Sequence, residues 1–79
     1  MAPNIYRHYK GQFYRVLFQG KHAETLEEVV GYEALYQNSV SQYWVRPLKD
    51  FESMVEINGK PQPRFRIATA AELKLITLP

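Results

Sequence analysis

The sequence contains no cysteine, and this absence excludes a disulfide framework and any metal cluster held by thiolates. Small secreted domains usually need disulfides because their hydrophobic cores are small, so we expect a cytoplasmic protein. The sequence also lacks a charged-then-apolar leader and any apolar run near the ~18 residues that a membrane span needs. We therefore expect neither a signal peptide nor an association with the membrane.

The 79 residues that are present suffice for one small domain. With 46% hydrophobic and 14% aromatic residues, the chain has enough apolar surface to offset the entropy lost on folding, which excludes intrinsic disorder. A core of this size leaves little material to wall a deep pocket, so we expect no cofactor and disfavour large cofactor-dependent enzymes. The function classes that remain are a binding module, a small subunit of a larger assembly, and a protein with a minimal hydrolytic or metal site.

The net charge of +2 conceals an uneven distribution of charge along the chain. Residues 1–21 carry four basic and no acidic groups, residues 22–56 carry seven acidic and two basic groups, and residues 57–79 carry four basic groups and one acid. The termini of a domain often lie close together, so the basic ends would form one surface that attracts an anionic partner. Alternatively, the basic ends pair with the acidic middle.

Short alternating runs predict a mainly β fold. Such runs occupy residues 13–18, 29–36, 43–46, 54–57 and 64–67, and this alternation is typical of strands with one face on the core. Asn58-Gly59 favours a tight hairpin turn, with residues 64–67 as the returning strand after a loop or sheet edge at Pro61 and Pro63. The side chains that we assign to the core are Tyr14, Val16, Phe18, Val30, Tyr32, Ala34, Tyr36, Phe65 and Ile67.

Two capping-box signatures mark helix starts, at Thr25–Glu28 and Thr69–Glu72. The first predicts a short helical turn after Thr25. The second predicts a short C-terminal helix, although alternation from Leu73 onward leaves a closing strand as the alternative. A helix of this length is marginal alone, so it must dock on the domain or on a partner.

Five short strands without a long covering helix bury one face only if the sheet curls on itself or splits in two. We therefore predict a small, partly open β-barrel over residues 1–67. Residues 68–79 would form a C-terminal tail or short helix.

Five motifs in register resemble a small bacterial family of unknown function, numbered 1653, over about residues 5–66. The resemblance implies an SH3-like β-barrel and no activity, since none is established for the family. Ala23 stands where the family usually has serine, residues 37–39 replace a glycine turn, and the tail from Ala68 lies outside the resemblance. The motifs are Tyr6–Gly11, His22–Glu27, Ala34–Tyr36, Trp44–Leu48 with Phe51, and Pro63–Phe65.

His8, His22 and Glu24 are the candidates for a metal or acid–base site. His22 and Glu24 are two residues apart, so their side chains project to the same side of an extended chain. With His8 they would supply the ligand set of an open zinc site or a facial iron triad. The alternative is that His22 and Glu24 hydrogen-bond each other or the turn at Thr25. We assign no metal and no catalytic residue.

A surface that mixes aromatic rings with cationic side chains is a stronger candidate for the functional site than the two histidines and Glu24. Rings and charges interleave over residues 6–10, Trp44 and Arg46 share one face of a strand, and Arg64 and Arg66 share one face of the last strand. Guanidinium groups recognise phosphate or carboxylate, and tyrosine and tryptophan supply flat faces for bases or other rings.

We therefore predict a non-enzymatic binding module for an anionic ligand, either a nucleotide or nucleic acid. Two alternatives stay open: a protein-interaction module that contacts a protein partner or a second copy through residues 68–79, and a small enzyme that is metal-dependent or uses a His–Glu acid–base pair. The predicted ligand-binding residues are Tyr6, His8, His22, Glu24, Trp44, Arg46 and Arg64.

Overall fold

A computed structural model of the chain describes residues 4–76. Most of the ordered backbone in this part is strand, and the two helices are one turn each. The elements are β1 (Ile5–His8), β2 (Phe13–Lys21), β3 (Glu28–Ala34), β4 (Tyr43–Pro47), α1 (Leu48–Phe51), β5 (Met54–Ile57), β6 (Lys60–Pro63), β7 (Phe65–Ile67) and α2 (Ala70–Leu73).

The strands form one five-stranded antiparallel sheet, in the order β4-β3-β2-β1-β7, and a separate hairpin of β5 and β6. The two outer strands of the large sheet do not pair, so the sheet stays open. The prediction of a small, mainly β and partly open fold is thereby confirmed. β1 was not predicted as a strand, because rings and charges interleave there without an apolar alternation.

The core lies on the inner face of the large sheet. Val30, Tyr32, Phe51 and Phe65 form its buried centre, and half-buried side chains from β1, β2 and β4 pack around them. Val30 and Tyr32 alternate with residues of the outer face along β3, which confirms the inward face predicted for this strand. Phe51 and Phe65 stack face to face with ring centres 4.1 Å apart, so α1 and β7 are fixed to each other.

A β-bulge changes the direction of the second half of β2. The register shifts between Val16 and Phe18, so that Val16 lies opposite Tyr32 whereas Phe18 lies opposite Gly31. An extra residue in one strand reverses the faces beyond it. The prediction that Phe18 is in the core is therefore wrong: its side chain is 49% exposed on the outer face.

The last strands also differ from the prediction. Asn58 and Gly59 have positive φ and form the expected turn, but the returning strand is β6 rather than residues 64–67. β7 instead pairs with β1 at the edge of the large sheet. Phe65 is buried as predicted, whereas Ile67 is 52% exposed because its strand has no neighbour on one side.

One of the two helix signatures produces a helix. Thr69 caps α2, and both hydrogen bonds of the capping box are present, between Thr69 and Glu72. After Thr25 there is no helical turn; the chain closes an α-turn earlier, where the Leu26 amide donates to the His22 carbonyl. Leu26 then adopts a φ of 62°, which a helix does not allow.

Among residues 4–76, none of the helices has the length and apolar character needed to cross a membrane.

Gly31 is required by the position of the Phe18 ring. A Cβ atom at residue 31 would collide with that ring. We expect Gly31→Ala to destabilise the fold by about 1 kcal/mol, because the ring must leave its contact on β3. In a Phe18→Ala background the same change should stabilise by about 0.5–1 kcal/mol, because alanine has less backbone entropy to lose than glycine. Urea denaturation of the four proteins measures both effects, and equal effects in the two backgrounds would show that the ring does not matter.

Candidate functional site

A small open cleft lies on the inner face of the sheet, beside the core. Its volume is about 160 Å³. Aromatic rings form most of its wall, and one guanidinium group lies at its side. The lining residues are Tyr14, Tyr32, Tyr36, Asn38, Trp44 and Arg46.

The register of three adjacent strands brings these side chains together. Tyr32 on β3 lies directly opposite Trp44 on β4, and both lie on the inner face. Tyr14 on β2 contributes to the same face, and its ring meets that of Tyr32 edge to face at 5.3 Å. Because strand side chains alternate, residues on the inner face of neighbouring strands form one continuous aromatic wall.

The tyrosine hydroxyl groups are joined by hydrogen bonds at the cleft. The hydroxyls of Tyr14 and Tyr36 are 2.8 Å apart, and Asn38 Nδ2 donates to the Tyr36 hydroxyl at 3.2 Å. Burial and the hydrogen bond with Tyr36 raise the pKa of Tyr14 well above its usual range. Tyr14 is therefore neutral at physiological pH.

Arg46 is positioned by contacts on two sides. Its Nε donates to the Tyr32 hydroxyl at 3.1 Å, and its Nη1 donates to Asp50 Oδ2 at 2.6 Å. The guanidinium carbon lies 5.5 Å from the centre of the Phe65 ring, within the range of a cation–π contact. Within residues 4–76, Nη2 of Arg46 has no hydrogen-bond partner, so donors remain for a ligand.

Arg64 shares the carboxylate that holds Arg46. Its Nε donates to Ser53 Oγ at 3.0 Å and lies 3.9 Å from Asp50 Oδ1. Two guanidinium groups thus face a single carboxylate, and within residues 4–76 no second carboxylate pairs with them, so one positive charge is left over. The positive potential next to the cleft attracts anions.

The positive potential affects the protonation of His8. Burial lowers the pKa of His8, and the charges of Arg46, Lys10 and Arg64 lower it further. The ring meets Tyr14 and Phe65 edge to face, and its Nδ1 accepts a hydrogen bond from the Lys10 amide at 3.2 Å. The neutral form of His8 is therefore favoured at neutral pH, and a bound anion would favour its protonation.

The seven predicted site residues do not all lie together. Trp44 and Arg46 line the cleft, and His8 and Arg64 lie next to it. Tyr6 points into the core instead, where its ring meets Phe51 edge to face at 5.3 Å. It also borders a separate cavity of about 120 Å³ between the sheet and α1.

His22 and Glu24 lie in the turn between β2 and β3. His22 Nδ1 accepts hydrogen bonds from the amides of Glu24 and Thr25, so the His22 ring provides an acceptor for two backbone donors of the turn. The nine residues of β2 place this turn about 25–30 Å from the end of the strand that adjoins β1. Accordingly, residues 4–76 contain no group of three or more side chains arranged to hold a metal ion, and His8 does not meet His22 and Glu24.

Several polar groups of the site are not predicted from the sequence. Tyr14, Tyr32 and Tyr36 were assigned to the core, yet their hydroxyl groups reach the cleft or Arg46. The available signal was the tyrosine itself, since a buried phenol hydroxyl usually finds a partner. Asp50 had no comparable signal, because its role depends on α1, which the sequence did not predict.

Comparisons with known proteins identify the family. The family described as a protein of unknown function, DUF1653, matches residues 4–67, most of the chain. The chain belongs to this family. A crystal structure of a DUF1653 protein from Bordetella bronchiseptica is 38% identical in sequence and has a TM-score of 0.75. The alignment covers 82% of this chain and 83% of that protein. A comparison with curated proteins finds no match.

Membership of DUF1653 agrees with the resemblance noted in the sequence motifs. The matched region includes every residue of the cleft and ends at Ile67, before α2. The family match therefore covers the residues of the sheet and the cleft, and it assigns no function to either.

The lowered pKa of His8 predicts how the stability of the fold depends on pH. Above the unfolded-state pKa of 6.5, His8 is neutral in both states and its contribution is complete. As the pH falls below 6.5, the unfolded state gains a proton first, so stability is lost until the pH passes the folded-state pKa. We expect the free energy of unfolding to fall more between pH 7.5 and 5.0 in the wild type than in His8→Asn, as measured by urea denaturation. Parallel curves for the two proteins would contradict this assignment.

Proposed function

We propose that this DUF1653 domain binds an anionic ligand that carries a planar ring, of the kind found in nucleotides and single-stranded nucleic acid. The observation that carries the proposal is the cleft, whose wall is lined by Trp44 and three tyrosines and which has the guanidinium group of Arg46 at its side. Base-stacking proteins combine these two elements, an aromatic platform and a cation for the backbone or phosphate.

The size of the cleft limits what enters it. Its volume of about 160 Å³ is below the roughly 300–1,000 Å³ of sites that enclose a drug-sized ligand. One ring can stack in it, and the charged remainder of the ligand would lie outside, along Arg46 and Arg64. The uncompensated positive charge beside Asp50 supports this orientation.

The alternatives receive less support from the described residues. Of the predicted interaction segment 68–79, residues 77–79 lie outside the described residues. In the described part Ala68 is buried and Glu72 bonds to the sheet, so a protein partner or second copy there would compete with contacts inside the chain. His22 and Glu24 are separated from the cleft, and no hydrogen bond joins their side chains within residues 4–76. We therefore prefer the anionic ring ligand to a metal-dependent or His–Glu enzyme.

The position of the single tryptophan provides a direct assay. Trp44 is the only tryptophan in the chain, so its fluorescence reports on the cleft without a label. We expect AMP, or an octamer of thymidylate, to quench this fluorescence in a saturable way. Inorganic phosphate at the same ionic strength should not, because it has no ring to stack.

Arg46 provides the sharpest variant. Loss of a charged hydrogen bond costs about 1.5–3 kcal/mol, so Arg46→Gln should weaken binding of AMP by about 10- to 100-fold. Lys49→Gln is the matched control: it removes the same charge from an exposed side chain on α1, and should change the affinity by less than about twofold. Thermal denaturation of each variant checks that the fold is retained.

Two results would contradict the proposed function. One is the absence of saturable quenching with both AMP and the octamer. The other is an equal loss of affinity in Arg46→Gln and Lys49→Gln, which would indicate attraction to net charge rather than a site. For the octamer, the affinity must also fall with salt, because phosphate contacts release counterions.

A further inference from the structure

A second cationic cluster lies on the opposite face of β1 from the cleft. Side chains alternate along β1, so Tyr6 and His8 face the core whereas Arg7 faces outward. Arg7 lies directly opposite Arg66 on β7. Like charges in such cross-strand pairs repel each other and destabilise a sheet unless an anion lies between them.

The chain itself supplies an anion at this position. Glu72 of α2 accepts hydrogen bonds from Nη1 and Nη2 of Arg66, at 2.7 and 2.6 Å, and from Nη1 of Arg7 at 2.5 Å. The Thr69 amide adds a fourth hydrogen bond at 2.9 Å. Hydrogen bonds from Arg66, from the Thr69 amide and from Arg7 hold the pKa of Glu72 well below its usual range, so the carboxylate is charged.

A cavity of about 260 Å³ adjoins the two arginines. Arg7, Lys10 and Arg66 border it, together with His8 and Gln62, and no acidic side chain in the described part of the chain lines it. Three positive charges therefore face the cavity, and Glu72 offsets one of them from the side. A ligand with two negative charges would neutralise the two positive charges that Glu72 does not offset.

Arg7 is held in place for such a ligand. Its Nε donates to the Gly11 carbonyl at 3.2 Å, and its guanidinium carbon lies 5.1 Å from the centre of the Phe13 ring. Gly11 has a φ of 108°, a conformation that favours glycine and turns the chain back toward Arg7. A guanidinium group that is already oriented loses less entropy when it binds an anion.

We propose that this cavity binds a phosphate group, free or as a monoester, and that Glu72 competes with it for Arg7 and Arg66. Guanidinium groups bind phosphate in the same two-pronged geometry that Arg66 shows toward the Glu72 carboxylate. Phosphate has the higher charge, and Lys10 adds a contact that Glu72 does not use. α2 follows the region matched by the family, so the competing carboxylate lies outside that region.

Competition makes phosphate binding and the docking of α2 mutually unfavourable. A ligand that takes Arg7 and Arg66 weakens the contacts of Glu72, and release of Glu72 strengthens binding of the ligand by the same factor. The segment after Ile67 would thus act as a built-in competitor of the site. This cavity lies on the other face of β1 from the proposed ring cleft. The phosphate proposal therefore does not depend on the proposed function of the cleft.

Inorganic phosphate, titrated at constant pH and ionic strength into the ¹⁵N-labelled full chain, tests the proposal. We expect saturable shifts of the Lys10 and Gly11 amides, accompanied by shifts of the Thr69 and Glu72 amides as α2 loosens. Glu72→Gln should bind phosphate about fivefold more tightly, the range expected for removal of a partly exposed ion pair. Glutamine still completes a capping box, so this variant keeps the cap of α2.

A control variant and a second test variant complete the experiment. Glu24→Gln removes the same charge from the distant β2–β3 turn, well beyond the screening length, and should leave the affinity for phosphate unchanged. Lys10 does not contact Glu72. Lys10→Gln should therefore weaken binding of phosphate without disturbing the docking of α2 or the fold. Glycerol 3-phosphate in a parallel titration distinguishes the sources: tighter binding than that of inorganic phosphate indicates a monoester.

Three outcomes would overturn the proposal. The first is no saturation by phosphate in Glu72→Gln at tens of millimolar. The second is equal tightening in Glu24→Gln and Glu72→Gln, which would reflect net charge alone. The third is equal shifts with acetate, which would show that the cavity does not select the phosphate charge.

Discussion

The stack of Phe51 on Phe65 is the interaction on which the rest of the structure depends. The ladder of the open sheet joins β7 to β1 at one edge, and in the described part of the chain it joins neither β7 nor α1 to β3. The two rings, 4.1 Å apart and nearly parallel, provide that connection and close the core above Val30 and Tyr32. The cleft depends on the same stack, because Arg46 lies on the Phe65 ring and its carboxylate partner immediately precedes Phe51 on α1.

The uneven charge distribution along the chain has two consequences in the fold. The basic ends meet, since β1 pairs with β7 and Arg7 lies opposite Arg66. The acidic middle also neutralises its neighbours, through the ion pairs of Arg15 with Glu33 and of Lys21 with Glu28. These pairs lie across β2 and β3, which leaves the cations of β1 and β7 to be matched from elsewhere in the chain.

Local signals in the sequence predicted several features correctly, although the capping-box signature at Thr25 did not produce a helix. The inner face of β3, the turn at Asn58-Gly59, the cap at Thr69 and the shared face of Trp44 and Arg46 all depend on spacing within a few residues. The bulge in β2, the pairing of β1 with β7 and the position of Asp50 depend on contacts between distant segments. The proximity of Trp44 and Arg46 was therefore predictable, whereas the hydrogen-bonded frame of tyrosine hydroxyl groups and Asp50 was not.

The two prolines of β6 bear on how this small protein behaves in a crowded solution. Pro61 and Pro63 are two residues apart, so their nitrogen atoms lie on the same side of the strand, away from the ladder with β5. Proline has no amide hydrogen, and that outer edge offers an incoming strand two fewer donors. An exposed hairpin edge is a common starting point for aggregation, and here the backbone itself is a poor template for it.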